Sequence, residues 1–270
     1  MSECGKRIRL NRVLGGSKRR ALVVAFDHAL VLGPIPGTED PLGKIRQFAR
    51  ADVDALLLNL GLIRQFANSP IQVRLPALIA RLDWTTVWSA FGENGSGVLR
   101  SAVLATPEAA LRQGADAVLT YLVVGTGDVD FEMKEITRNA EVARECERSG
   151  IPLIVECLAR GKDVRNPGDP AWLNLHTRMA VELGADALKT DYSGDVASMR
   201  SVVKNCPIPI LVLGGSRQAS DKQALNVVRQ VAEAGAAGVF FGRNVFQAEN
   251  MSAFLENARA ALDGVVAPAT

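Results

Sequence analysis

Lys189 carries the sharpest chemical signal in the sequence. It follows Ala187 and Leu188 in GADALKTDY, residues 184–192, at the end of an apolar run of the kind that forms a buried strand. Lysine is seldom buried without a partner or a task. Burial strips hydration from an ammonium group and so favours the neutral amine. A neutral amine adds to a carbonyl carbon and forms a Schiff base, and the protonated imine draws electrons from the adjacent carbon, so that a C–C bond can form or break. On the pattern alone, a purely structural pairing of Lys189 with Asp27, Glu156 or Asp191 stands equal to that reading.

Asp27 and Glu156 lie at the ends of two further apolar runs, ALVVAFD at 21–27 and IPLIVEC at 151–157. Carboxylates beside an amine can shuttle protons to a substrate hydroxyl or to a carbinolamine. Proton transfer is the favoured role for Asp27, whereas Glu156 is open between that role and holding Lys189 in place. Tyr121, in GADAVLTYL at 114–122, is a proton donor or a packing residue. His28, Asp191 and Ser216 are the candidates for hydrogen bonds to substrate, with a structural role for His28 nearly equal.

Two glycine motifs point to an anion. Gly214, Gly215 and Ser216 end the run IPILVLGGS, and Gly242 with Arg243 ends GAAGVFFGR. Glycine lets backbone N–H groups approach phosphate oxygens, and helix N-termini favour the bound charge. Arg243 adds a charge-assisted contact. Metal chemistry is disfavoured, because zinc sites usually collect several histidines and the chain has only two, His28 and His176. No cofactor is implied.

The elements that must position these residues show as a repeat. ADVDALLLN (51–59), GADAVLTYL (114–122), GADALKTDY (184–192) and GAAGVFFGR (235–243) each place a small or acidic stretch before an apolar run. Gly114, Gly184 and Gly235 sit where a helix closes in the left-handed conformation and a strand follows. Other runs, at 21–27, 101–106, 151–157 and 208–215, are apolar on both faces, as parallel strands covered on each side are. Helix-like periodicity falls at 130–149, 170–183, 194–205, 219–234 and 247–262. Alternating strands and helices over 270 residues indicate α/β, and the length suits a single (βα)8 TIM barrel of roughly 250 residues. The expected organisation is one domain, 1–270, with residues 1–20 as an N-terminal extension. Within 61–100 the pattern is weakest: LIARLDW at 78–84 is the candidate third strand, and TTVWSAFGENGSG reads as a loop. In such a barrel the site forms at the C-terminal strand ends, where Asn59, Arg81 and Asp83 also fall.

Composition limits the partners. The chain is 48% hydrophobic and 22% charged, with a formal net charge of +2, which points to no particular macromolecule. The basic cluster Lys6, Arg7, Arg9, Arg12, Lys18, Arg19 and Arg20 lacks interleaved aromatics, so a solvated extension against the barrel bottom or a subunit is preferred to a nucleic-acid arm. No run reaches the roughly 18 apolar residues of a membrane span, and the basic start leads into Gly-Gly-Ser rather than a signal core. Cys4, Cys146, Cys157 and Cys206 are scattered without a CxxC, as in a reduced, cytoplasmic protein.

Together, FDHA (26–29), GADALKTDY, LVLGGS (211–216) and GVFFGRNVFQ (238–247) resemble the archaeal-type class I fructose-bisphosphate aldolase family, which is related to deoxyribose-phosphate aldolase. The resemblance spans roughly residues 20–262. It implies Lys189 as the Schiff-base lysine, Asp27 as the strand-one acid–base residue, and Gly214, Gly215, Gly242 and Arg243 as phosphate ligands. It also implies a homo-oligomer, a decamer or another ring. The family includes enzymes that build an amino-dideoxy-heptulosonate and a thiolase acting on a phosphorylated diketone.

Two departures bear on substrate. The family's Tyr-Pro-Arg-Gly motif is here Leu158-Ala159-Arg160-Gly161, and Ala29 stands where glycine commonly follows Asp-His. Glu156 resembles the glutamate proton shuttle of tagatose-bisphosphate-type aldolases. These features argue against fructose 1,6-bisphosphate and leave the imine chemistry intact. The expected activity is a metal-independent lyase acting on a phosphorylated ketose, with dihydroxyacetone phosphate or a similar ketone on Lys189. The alternatives are a Schiff-base acyltransferase using coenzyme A and a non-catalytic barrel that binds phosphate ligands.

Overall fold

The apolar runs become strands buried on both sides. In the computed structural model, which describes residues 2–16, 19–70, 74–91, 95–162 and 164–264, eight parallel strands close into a barrel. They are β1 (Ala21–Ala25), β2 (Ala55–Asn59), β3 (Ala77–Arg81), β6 (Ala117–Val124), β7 (Leu153–Ala159), β8 (Ala187–Thr190), β9 (Ile210–Leu213) and β10 (Gly238–Phe241). A separate antiparallel pair, β4 (Asp83–Thr85) and β5 (Ser101–Val103), stands between β3 and β6 in sequence. The barrel is therefore the fold that the repeat predicts.

Alternation along each strand sorts the side chains. Ala21, Val23, Leu57, Ile79, Leu119, Ile154, Leu211 and Phe240 fill the barrel interior, while their neighbours pack beneath the helices. The expected helices form at Val129–Ser149, Pro170–Glu182, Val196–Asn205, Asp221–Glu233 and Met251–Leu262. Their starts are fixed by side-chain caps, such as Asp195 accepting from the Ala197 and Ser198 N–H groups, both at 2.9 Å. Gly114, Gly184 and Gly235 adopt φ of 88°, 98° and 85°, as the repeat requires.

Three expectations need correction. The run 101–106 is not a barrel strand: β5 pairs antiparallel with β4, Asp83 opposite Val103. The third position is already filled by β3, which pairs with β2 on one side and β6 on the other. Val103 and Leu104 accordingly remain 43% and 55% exposed. The stretch read as a loop opens with Thr85 in β4 and contains a short helix, Val87–Ala90, that seats Trp88 over the barrel mouth; its residues 92–94 lie outside the described residues.

The third correction concerns the solvation of the N-terminal extension, whose place against the barrel bottom is as expected. Residues Ser2–Val13 form a helix that closes the barrel bottom, with Leu10, Val13 and Leu14 against the interior cluster. Lys6 is buried between Glu147 and Asp186, the latter at 3.0 Å, and Arg9 donates to the Gly150 carbonyl at 3.0 Å. Arg19 pairs with Asp52 and Asp54. Much of the basic cluster is thus engaged within the chain rather than solvated; Lys18 lies outside the described residues. Among the described residues, no helix is long and apolar enough to cross a membrane.

Candidate active site

Register puts the titratable side chains in one layer at the C-terminal mouth. Tyr121 on β6 is opposite Glu156 on β7, and Glu156 is opposite Lys189 on β8. Across the mouth, Asp27 lies two residues past the end of β1, and its carbonyl accepts from Asn59 Nδ2 at 2.9 Å. Asp27, His28, Arg81, Tyr121, Glu156, Lys189, Gly214, Gly215, Ser216, Gly242 and Arg243 all line one cavity of about 250 Å³, a space suited to a sugar-sized ligand.

Lys189 Nζ lies 2.8 Å from Glu156 Oε1 and 5.2 Å from the centre of the Phe240 ring. The second oxygen of Glu156 meets Arg81, whose Nε lies 2.8 Å from Asp27 Oδ2. The Arg81 guanidinium therefore bridges the two carboxylates and rests on the Tyr121 ring at 3.8 Å. Its remaining nitrogen reaches Asp83 at 3.4 Å, and Asp83 is itself held by Arg138 and by the Tyr121 N–H at 2.8 Å. Every charge in this buried layer has an opposite charge beside it, the condition under which buried charges are tolerated.

These pairings decide protonation. Burial opposes ionisation of Asp27 most strongly, but Arg81, Lys189 and His28 outweigh it and hold the carboxyl at about 2. Glu156 is likewise lowered, burial being overcome by Lys189 and Arg81. Both are thus anionic at neutral pH. Tyr121 is raised well above the usual phenol range, chiefly by burial, so its hydroxyl keeps its proton. Burial also lowers His28, with Lys189 and Arg243 acting against the attraction of Asp27. His28 is therefore neutral; its Nδ1 is buried without a hydrogen-bond partner among the described residues, 3.8 Å from Asp27 Oδ1.

The far side of the mouth is built differently. Arg243 is half-buried, its Nε has no partner, and no carboxylate among the described residues pairs with it. Desolvation lowers its basicity, and an arriving anion would relieve that cost. Gly242 is required by sterics, since a Cβ there would lie 2.3 Å from His28 Cε1 and 2.7 Å from the Ala25 carbonyl oxygen.

Asp191 is not brought into this group. Arg160 holds both its carboxylate oxygens, at 2.9 and 3.1 Å, and it does not line the cavity. Conversely, Arg81 ends its run in the sequence without an assigned role, although an arginine inside LIARLDW is itself a sign of a buried partner. Trp88 sits in the stretch read as a loop; its Nε1 donates to the Tyr121 hydroxyl at 3.3 Å, and nothing in the local pattern marks it.

Comparison with known proteins gives the family. The chain is 38% identical to an uncharacterised aldolase of Saccharolobus solfataricus, over 91% of this chain and 89% of that one. It is 34% identical to the 2-amino-4,5-dihydroxy-6-oxo-7-(phosphonooxy)heptanoate synthase of Streptomyces griseus, over 92% and 87%. A solved Schiff-base-forming fructose-1,6-bisphosphate aldolase superposes with a TM-score of 0.80 at 29% identity, covering 96% of this chain and 99% of that one. Residues 21–248 match the DeoC/LacD family of aldolases, and the chain belongs to that family, as a lyase of the Schiff-base-forming class.

Proposed function

We propose that the enzyme makes or cleaves a C–C bond of a phosphorylated ketose, with dihydroxyacetone phosphate or a similar ketone held as an imine on Lys189. The observation that carries this reading is the pairing of Lys189 Nζ with Glu156 Oε1 at 2.8 Å in a cavity whose other side presents the unpaired Arg243. The product named for the Streptomyces relative carries a 6-oxo group beside a 7-phosphonooxy group, the same arrangement as in dihydroxyacetone phosphate.

The arrangement of the cavity residues supports the following steps. Glu156 accepts the Lys189 proton, and the free amine adds to the ketone carbonyl. Glu156 then returns a proton to the carbinolamine hydroxyl, which leaves as water and yields the iminium. Asp27, anionic and held by Arg81, takes the proton from the hydroxyl next to the scissile bond. The bond's electrons pass to the iminium, leaving an enamine as the aldehyde departs; Asp27 returns its proton to the enamine carbon, and hydrolysis of the iminium so formed frees the ketone and Lys189. Glu156 is the second proton-transfer group in this scheme, because it meets Lys189 Nζ directly at 2.8 Å, whereas burial raises Tyr121 and holds its proton. Gly214, Gly215, Gly242 and Arg243 hold the phosphate, with His28 and Ser216 on the substrate's hydroxyls.

The test is condensation. Dihydroxyacetone phosphate incubated with a panel of aldehydes is expected to give a new ketose phosphate in proportion to enzyme. Thioester formed from a phosphorylated diketone and coenzyme A, with no ketose phosphate from any aldehyde, would instead support acyl transfer.

A further inference from the structure

We propose that Asn244 is a positioning residue for the anion side of the cavity, fixing the backbone at residues 214–216 in the orientation that meets a phosphate group. The inference rests on the reading that this side takes the substrate's phosphate.

Asn244 is fully buried, 0% exposed, and does not line the cavity. Its Nδ2 donates to the carbonyls of Gly214 at 2.8 Å and Ser216 at 3.1 Å, and its Oδ1 accepts from the Gln218 N–H at 2.8 Å. One side chain from the segment after β10 thus clamps three peptide groups of the segment after β9. The clamp sits where the sheet ends: the last ladder contact between these strands is Gly214 N–H to the Phe240 carbonyl, at 3.1 Å. Beyond it, Asn244 takes over from the ladder.

The clamp also sets direction. In a trans peptide unit the N–H points opposite to the C=O. Holding the Gly214 carbonyl back toward Asn244 turns the Gly215 N–H the other way, toward the cavity that Gly214, Gly215 and Ser216 line. Gly215 completes the bend at φ of 65°, where a side chain is disfavoured. A phosphate on this side needs donors already fixed in direction, and Asn244 supplies the fixing. Aspartate in its place keeps the shape but faces two carbonyl oxygens with a carboxylate that has no proton to donate.

The experiment compares two ketones, dihydroxyacetone phosphate and unphosphorylated dihydroxyacetone, by borohydride trapping on wild type, Asn244→Asp and Asn244→Ser. The concentration of phosphorylated ketone giving half-maximal trapping is expected to rise roughly 10- to 50-fold in Asn244→Asp, from two lost hydrogen bonds. Asn244→Ser, which retains a donor, is expected to fall between that variant and wild type, and it carries the test if the aspartate variant does not fold. Trapping of unphosphorylated dihydroxyacetone should change less than about 3-fold, because Lys189 and its partners are untouched. Equal losses for both ketones would overturn the proposal and leave Asn244 with a purely structural role. A wild-type enzyme that shows no preference for the phosphorylated ketone would instead overturn the phosphate reading beneath it.

Discussion

Arg81→Met keeps a long side chain under Tyr121 and removes the charge between Asp27 and Glu156. Asp27 is held at about 2, below the ordinary 3.8, because Arg81, Lys189 and His28 outweigh burial. Removing one partner from a buried pair typically costs about 3–5 kcal/mol, and here two carboxylates lose the same partner. Without Arg81, burial dominates, and Asp27 is expected to take up a proton at neutral pH. The sign of the pH dependence then reverses. In wild type the depressed carboxyl contributes stability that is present above 3.8 and lost as pH falls toward 2. In the variant a raised carboxyl contributes stability that is present below its unfolded value and lost as pH climbs through its folded one. Urea denaturation at about pH 5 and about pH 8 measures this. The stability gap between wild type and Arg81→Met should widen toward the higher pH. A gap that is constant, or narrower at the higher pH, would refute the claim that Arg81 keeps the carboxylates ionised.

Further substitutions separate the remaining roles. Glu156→Gln should lower kcat by roughly 10²- to 10⁴-fold, the usual range for a proton-transfer group, whereas Tyr121→Phe should cost less than about 10-fold; the reverse order in steady-state rates would assign the proton to Tyr121. Gly242→Ala should weaken binding of dihydroxyacetone phosphate and lower the melting temperature, since the new methyl group meets the Ala25 carbonyl oxygen at 2.7 Å; an unchanged affinity would show that the Gly242 segment does not touch the phosphate. Lys6→Met strands Asp186 at the barrel bottom and should cost about 1–2 kcal/mol in denaturant unfolding, because Glu147 remains exposed and screened; trapping of ketone on Lys189 should be unaffected.

Much of this molecule is legible locally. Strands buried on both faces and glycine-closed helices are set by neighbours in sequence, so the barrel and its strand ends follow from short patterns. The same locality places Lys189, Asp27 and Glu156 at one mouth before any contact is known. It fails where apolar composition and sheet membership part, as at 101–106, whose exposed Val103 and Leu104 look like strand residues in isolation. It fails again where pairing is long-range. Arg81 finds Asp27 at a separation of 54 residues and Glu156 at 75, and no window on the sequence contains that bridge. Asp191 is taken by Arg160 from 31 residues away, which removes a carboxylate that sequence proximity had placed beside Lys189. Asn244 clamps peptide groups on a neighbouring strand end, a role visible only once β9 and β10 are side by side.

The central claim is a covalent imine on Lys189, and borohydride reduction in the presence of dihydroxyacetone phosphate tests it most directly. Intact and peptide mass spectrometry should find one adduct per chain, on the peptide containing Lys189, and none in Lys189→Met. An adduct on another lysine, or no adduct with any ketose phosphate while phosphate ligands still bind, would contradict the account.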